Sequence, residues 1–266
     1  MLWLEMTSDM MGEAIERCGG VCLLPMGVME RHGSHLPLGT DQFVVDEICR
    51  RAAEAEPAVV FPSYYFGKIF TARHSKGTFA LRRDLLLPVL EATIDEIARS
   101  GFTKIMLVNG HGGNTTMINF YVRTLLDEPH DYMVYATDTY HLEPEDEAEW
   151  KAMCAADWGE HGGEDETSVM LHVRGDLCRM QDLTSPEDGE PRGRQDGLRG
   201  MQNPLTWYAD FPTHYSGDAR QASAEKGAWL VERRVAKLAR DIRAVKEDAV
   251  SRNLLQEFYD RSENPE

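Results

Sequence analysis

Lys104–Val108, KIMLV, runs without a break into NGHGGN, Asn109–Asn114. An apolar run that short, ended by glycines, predicts a strand buried on both faces. A second pair of the same kind stands earlier. Val21–Gly27, VCLLPMG, leads into ERHGSHLPLGTD, Glu30–Asp41. Strands of this type need helices over both sides, and the chain supplies them. Apolar residues at helical spacing predict helices over Gln42–Ala55 and Asp84–Ser100, with Asp84 as the N-cap of the latter. Further helices are expected from Thr115 to about Leu126, over Glu143–Ala155 and Glu164–Val173, and from Ala222 to about Asn253. Ala58–Tyr65 and Tyr132–Thr137 read as additional strands, with Pro62 weakening the end of the first. Strands alternating with helices imply βαβ units. The expected fold is α/β, with a mostly parallel sheet covered on both faces.

The alternation fails between about Met180 and Ser216, where glycine, proline and charge dominate. Long irregular segments in compact domains tend to serve as lids, interface arms or binding loops. No linker divides the chain, so residues 1–266 are expected to form one domain. Its 266 residues are enough to bury a core without covalent staples. The net charge of −17 argues against a nucleic-acid backbone as partner, which would need a basic patch. Five cysteines with no CxxC pair exclude a disulfide framework or a cysteine zinc site. No run approaches the ~18 apolar residues of a membrane span, and the N-terminus lacks the basic and apolar regions of a signal peptide. A cytoplasmic protein is the expectation.

Three loops hold the chemistry. Glu30 and His32 are two residues apart, so an extended backbone points both to one side. Asp41 follows nine residues on, after a stretch that Gly33, Pro37 and Gly39 allow to turn. Singly, His32 reads as a surface histidine and Asp41 as a helix cap; together, imidazole and carboxylates in one loop are ligands for zinc, manganese or iron. NGHGGN places His111 at a second strand end. It is not a dinucleotide fingerprint, because Thr115 stands where the third glycine belongs. The third stretch, WGEHGGEDETS, sets Glu160 and His161 before a glycine pair, with Glu164, Asp165 and Glu166 at the start of a helix. Acidic residues suit a first helical turn, but that does not account for the histidine. Nor is this the zinc-protease HExxH, since no histidine lies four residues beyond His161. Converging loops of this composition suit a two-metal hydrolytic centre. There a carboxylate joins two cations roughly 3.5–4 Å apart, and a nearby histidine moves the proton.

In order and content, LLPMGVMERHGSHLPLGTD, NGHGGN and EHGGEDETS resemble the creatininase family of metal-dependent amidohydrolases. WLEMT near the start and ASAEKG near the end also fit, so the resemblance spans roughly residues 3–245. It implies an α/β sandwich in three layers, often assembled into hexamers, and two divalent ions, with zinc expected ahead of manganese or iron. It also implies Glu30, His32, Asp41 and His111 as metal ligands, with Asp41 the bridge. His161 becomes the proton donor to the leaving nitrogen and Glu160 its assistant. Creatinine-hydrolysing members carry a glutamate ligand two residues after the counterpart of His111, where this chain has Gly113. Glu166 is the expected replacement, with Glu164 the second choice. Gly112, Gly113 and His74 are expected at the substrate, while His35 has no assigned role. The expected reaction is hydrolysis of a C–N bond in a small cyclic amide or formamide. A ring-opening hydrolase of a cyclic, inositol-derived ketone and a peptide-trimming maturase are the alternatives on the same core. A metal-stabilised binding protein without turnover fits least.

Overall fold

Residues 1–154, 161–198, 200–263 and 265 are described in a computed structural model of the chain. Its strands are β1 (Val21–Met26), β2 (Val59–Val60), β3 (Lys104–Asn109) and β4 (Met133–Asp138). Its helices are α1 (Met11–Arg17), α2 (Thr40–Ala55), α3 (Arg83–Arg99), α4 (Thr115–Thr124), α5 (Pro144–Met153), α6 (Glu164–Arg174), α7 (Thr206–Asp210), α8 (Ala224–Glu247) and α9 (Ser251–Glu263). The strands form one parallel sheet in the order β2-β1-β3-β4.

Alternate residues of the central strands feed two cores. Val21 and Leu23 of β1, with Met106 and Val108 of β3, pack under α2, α6 and α8. Cys22, Leu24 and Met26, with Ile105 and Leu107, pack under α1, α3 and α4 on the other face. The result is a three-layer α/β sandwich, which is why β1 and β3 read as unbroken apolar runs rather than alternating ones. β1 and β3 stay in register to their last pair, Met26 with Asn109. The loop after β1 and the turn after β3 therefore leave the sheet side by side, at its C-terminal edge.

Several elements differ from the sequence expectation. The strand expected over Ala58–Tyr65 is a ladder of two residues followed by a lone bridge between Met26 and Tyr64. Leu23 and Pro25 both turn their carbonyls to this side, accepting from Phe61 and Tyr64. Pro25 has no N–H to return, so the ladder lapses there. Asp84 is not an N-cap: Arg82 holds that position without a side-chain bond, and Asp84 pairs with the Arg82 guanidinium. The long C-terminal helix is two helices. Asp248 has extended backbone, and its carboxylate accepts from the N–H groups of Val250 and Ser251, opening α9. The end of α8 is closed from the sheet, where the Lys104 ammonium donates to the carbonyls of Val245, Lys246 and Asp248 at 2.8, 2.8 and 2.9 Å. The segment 180–216 holds short 3-10 turns and α7. All five cysteines are free.

Lys104→Met removes a charged donor from three carbonyls of a half-buried helix end. The expected loss is about 1–3 kcal/mol, read as a lower denaturant midpoint with an unchanged slope. An unaltered midpoint would show that the lysine contributes nothing to the α8 terminus.

Candidate metal centre

Glu30 and His32 follow β1, and Asp41 is the second residue of α2. His111 comes from the turn after β3. Glu166 lies in the first turn of α6, and His161 just before the helix, where it is held by paired backbone bonds to Ser216 (3.3 and 2.9 Å). Gly162 makes that turn at φ +69°, and a side chain there would press on the His32 backbone. The loops tighten further through His35. Its Nε2 donates to the Thr167 hydroxyl at 2.8 Å, and Thr167 donates to the Gly162 carbonyl at 2.9 Å.

The groups meet in a buried cluster: Glu30 and His32 are 0% exposed and Asp41 3%. Asp41 divides its two oxygens between two histidines. Oδ1 lies 3.1 Å from His32 Nε2, and Oδ2 lies 3.1 Å from His111 Nδ1. His111 Nδ1 is also 2.9 Å from Glu30 Oε1. Yet Glu30 Oε1, Asp41 Oδ2 and His111 Nε2 make no hydrogen bond. Two buried carboxylate oxygens from separate loops converging on one imidazole nitrogen is a costly arrangement unless a positive charge lies among them, and it is an arrangement able to hold a cation. On the other side of Asp41, Glu166 Oε2 stands 3.6 Å from His32 Nε2 and accepts from the Gly162 N–H at 2.6 Å. Glu30, Asp41 and His111 thus form one ligand group, and His32, Asp41 and Glu166 another. The donor set of imidazole and carboxylate suits zinc or manganese.

His161 stacks on His32, with ring centroids 4.1 Å apart, and lies 3.9 Å from Glu30 Oε2. Its Nε2 donates to the Arg31 carbonyl at 2.8 Å. Burial, followed by the charge on His32, holds its pKa below the ordinary value of 6.5. Glu160 lies outside the described residues.

Of the other expected site residues, Gly112 borders a cavity of about 580 Å³ whose lining includes Asp41, Glu166, Tyr140, Trp150 and Arg234. Gly113 is fixed by its neighbour: a Cβ there would collide with His111 Nε2. A glutamate at 113 is therefore incompatible with this placement of His111, and the carboxylate that faces His32 comes from α6. Glu164 belongs to none of these groups; it pairs with Lys226. His74 is exposed and tied to backbone, with Nδ1 against the Thr71 carbonyl and Nε2 against that of Pro212 at 3.1 and 3.0 Å. It reaches the cluster only through the edge of the His214 ring, 5.9 Å away.

His214 itself was not among the expected residues. It is buried, and its Nε2 lies 2.8 Å from Glu30 Oε2, while its Nδ1 accepts from Trp207 Nε1 at 3.1 Å. Its backbone sits at φ 53°, a conformation costing a non-glycine residue about 1–3 kcal/mol. The sequence gives little warning of it. One histidine in FPTHYSG, at no regular spacing from the other ligands, is the only signal.

With this geometry in hand, the chain compares closely with known proteins. The family model described as creatininase, creatinine amidohydrolase, matches residues 4–242. Creatinine amidohydrolase of Pseudomonas putida is 29% identical over 180 residues, which is 60% of this chain and 66% of that protein. The mycofactocin precursor peptide peptidase of Mycolicibacterium smegmatis is 30% identical over 193 residues, 67% of this chain and 70% of its own. The 3-dehydro-scyllo-inosose hydrolase of Thermotoga maritima is 25% identical over 263 residues, 89% of this chain and 82% of its own. Among solved structures, a mutant creatininase of Zn-Zn type superposes with a TM-score of 0.75 at 25% identity, covering 93% of this chain and 98% of its own. A manganese creatininase gives 0.73 at 26% identity, covering 93% and 99%. The chain belongs to the creatininase family.

Proposed function

We propose that this chain is a hydrolase acting on a C–N bond of a small cyclic amide or formamide with two divalent ions. The observation that carries the reading is Asp41, whose two carboxylate oxygens face two histidines from separate loops. Glu30, Asp41 and His111 would hold one ion, and His32, Asp41 and Glu166 the other. When bound, such ions polarise a carbonyl oxygen and acidify water.

The remaining steps belong to the chain's own groups. His161 donates from Nε2 to the Arg31 carbonyl, so Nδ1 is the atom free to take up a proton. Its depressed pKa keeps it ready to do so near neutrality, and it returns that proton to the leaving nitrogen. Stacking on His32 fixes the ring plane. Glu160 is assigned as its assistant by family resemblance. The cavity beside Asp41 and Glu166 has the size of a small-molecule site, and Gly112 leaves its wall open. Gly113 argues against creatinine itself. A ring-opening hydrolase of a cyclic ketone is the second reading, favoured by the alignment with the inosose hydrolase over 89% of this chain. The reading extends to one hydrolase domain in a cytoplasmic homo-oligomer, a hexamer by resemblance. No helix among the described residues is long and apolar enough to cross a membrane.

Metal analysis and turnover on a panel of lactams, formamides and cyclic ketones test this directly. His111→Ala is expected to lose one ion per chain and at least 100-fold in turnover, and chelation to abolish activity. His161→Ala is expected to keep both ions and lose turnover. Purified protein that holds no transition metal, with His111→Ala fully active, would end the two-ion reading.

Proton release gives a separate check. Burial opposes charge on His32, but Asp41 and then Glu166 outweigh it and push its pKa up to about 10. Burial likewise opposes charge on His111, and Glu30 and Asp41 raise it. The neighbouring carboxylates thus favour the protonated form of both rings, and ions bound there would displace those protons. Because the folded pKa of His32 is raised, its stabilising contribution is complete below pH 6.5 and fades as pH rises through about 10. Calorimetric zinc binding at pH 7 should show heats that depend on buffer ionisation, and the metal-free Tm should fall between pH 6.5 and 10. Buffer-independent heats would place the protons elsewhere.

A further inference from the structure

Among the described residues, His214 is the one non-glycine residue at positive φ, and it is buried against Glu30. Its polar groups are all engaged. The indole nitrogen of Trp207 is only ever a donor, so the bond from Nε1 makes His214 Nδ1 an acceptor. The ring hydrogen is then on Nε2, which donates to Glu30 Oε2 at 2.8 Å. On the backbone, the His214 carbonyl accepts from Gly33 at 2.9 Å, and its N–H donates to Phe211 at 3.1 Å. Trp207 lies in α7, within the irregular segment, and its ring also meets His161 edge-on at 5.7 Å.

These bonds join the end of the irregular segment to the first ligand loop twice, once by main chain and once by side chain. They also orient a carboxylate. With Oε2 of Glu30 taken by His214, Oε1 faces His111 Nδ1 and is left without a hydrogen bond. A terminal carboxylate torsion is broad, so nothing else on Glu30 would choose between its two oxygens. The left-handed backbone of His214 is the conformation that delivers its ring to this point.

We propose that Trp207 and His214 are positioning residues that aim Glu30 at its ion, and that the same bonds make ion occupancy and the fold of residues 205–216 depend on each other. The inference rests on the two-ion reading of Glu30. Coupling of this kind is reciprocal: if the ordered segment raises affinity for the ion, the ion must order the segment by the same factor.

The test uses zinc, a competing chelator and hydrogen exchange on the full chain. His214→Gly removes the side chain while suiting the backbone conformation, so the variant is expected to fold. Its affinity at the first ion site should fall about 10–100-fold, as for other partners behind metal ligands. Trp207→Phe keeps the aromatic ring and loses the N–H, and should show a smaller fall. The double variant should be no weaker than His214→Gly, because Trp207 acts through His214. Zinc should slow exchange at 205–216 in the wild type, and should do so less in saturated His214→Gly, which keeps only the main-chain links. Nitrogen chemical shifts of His214 in the metal-free protein should show Nδ1 without a proton. Wild-type affinity in His214→Gly, additive losses in the double variant, or a protonated Nδ1 would each overturn the proposal while leaving the two-ion reading intact. A wild-type protein that binds no zinc would overturn both.

Discussion

Asp41 is the constraint on which the rest depends. One carboxylate, 3% exposed, is shared between imidazoles from the loop after β1 and the turn after β3. That sharing is possible only because β1 and β3 are neighbours in register to their last residue. It also requires α2 to begin directly above that edge, so that Asp41 comes in its first turn. A buried cluster of ionisable groups adds little stability as such, but removing one member leaves the others uncompensated, at a cost of about 3–5 kcal/mol. The parallel sheet and the covering layers therefore have to hold the loops in fixed relation. Asp41 and Glu30 favour positive charge on His32 and His111, and the same positions suit cations. The apolar runs of β1 and β3 and the polar loops that follow them answer one requirement: a rigid edge that carries charge inward.

Much of this was legible because it is local. Glu30, His32, His111 and His161 stand in short loops punctuated by glycine, next to runs whose burial is plain from composition, and the structure brings all four together. The central strands and most helices follow from periodicity for the same reason. What was missed is carried by single side chains acting at a distance. Nothing in the pattern of Ala58–Tyr65 shows that Pro25, on the neighbouring strand, has no donor to return. The helix expected from Ala222 to about Asn253 runs past Asp248, but the Asp248 carboxylate caps a new helix and Lys104 closes the old one from the sheet. His214 belongs to this class. It is 184 residues from Glu30, in a segment whose composition says only that it is irregular. Its role comes from one strained backbone angle and one indole donor, neither of which has a sequence period.

The two ligand groups draw on different parts of the fold. On the two-ion reading, the group of Glu30, Asp41 and His111 is backed by His214 and Trp207, and so by the irregular segment. The group of His32, Asp41 and Glu166 is backed by α6, where Glu166 is fixed by the Gly162 N–H and the neighbouring Glu164 pairs with Lys226 of α8. Gly113 is where the division is made. His111 fills the space a side chain at 113 would need, so the turn after β3 gives one ligand rather than two, and the second carboxylate comes from a helix in another layer. Asp41 is shared by these two groups, while Glu30, His32 and His161 make a third candidate group among the described residues. Events at the irregular segment would reach the Glu30 group through His214, and the His32 group through His161, which Ser216 holds by main chain and which stacks on His32.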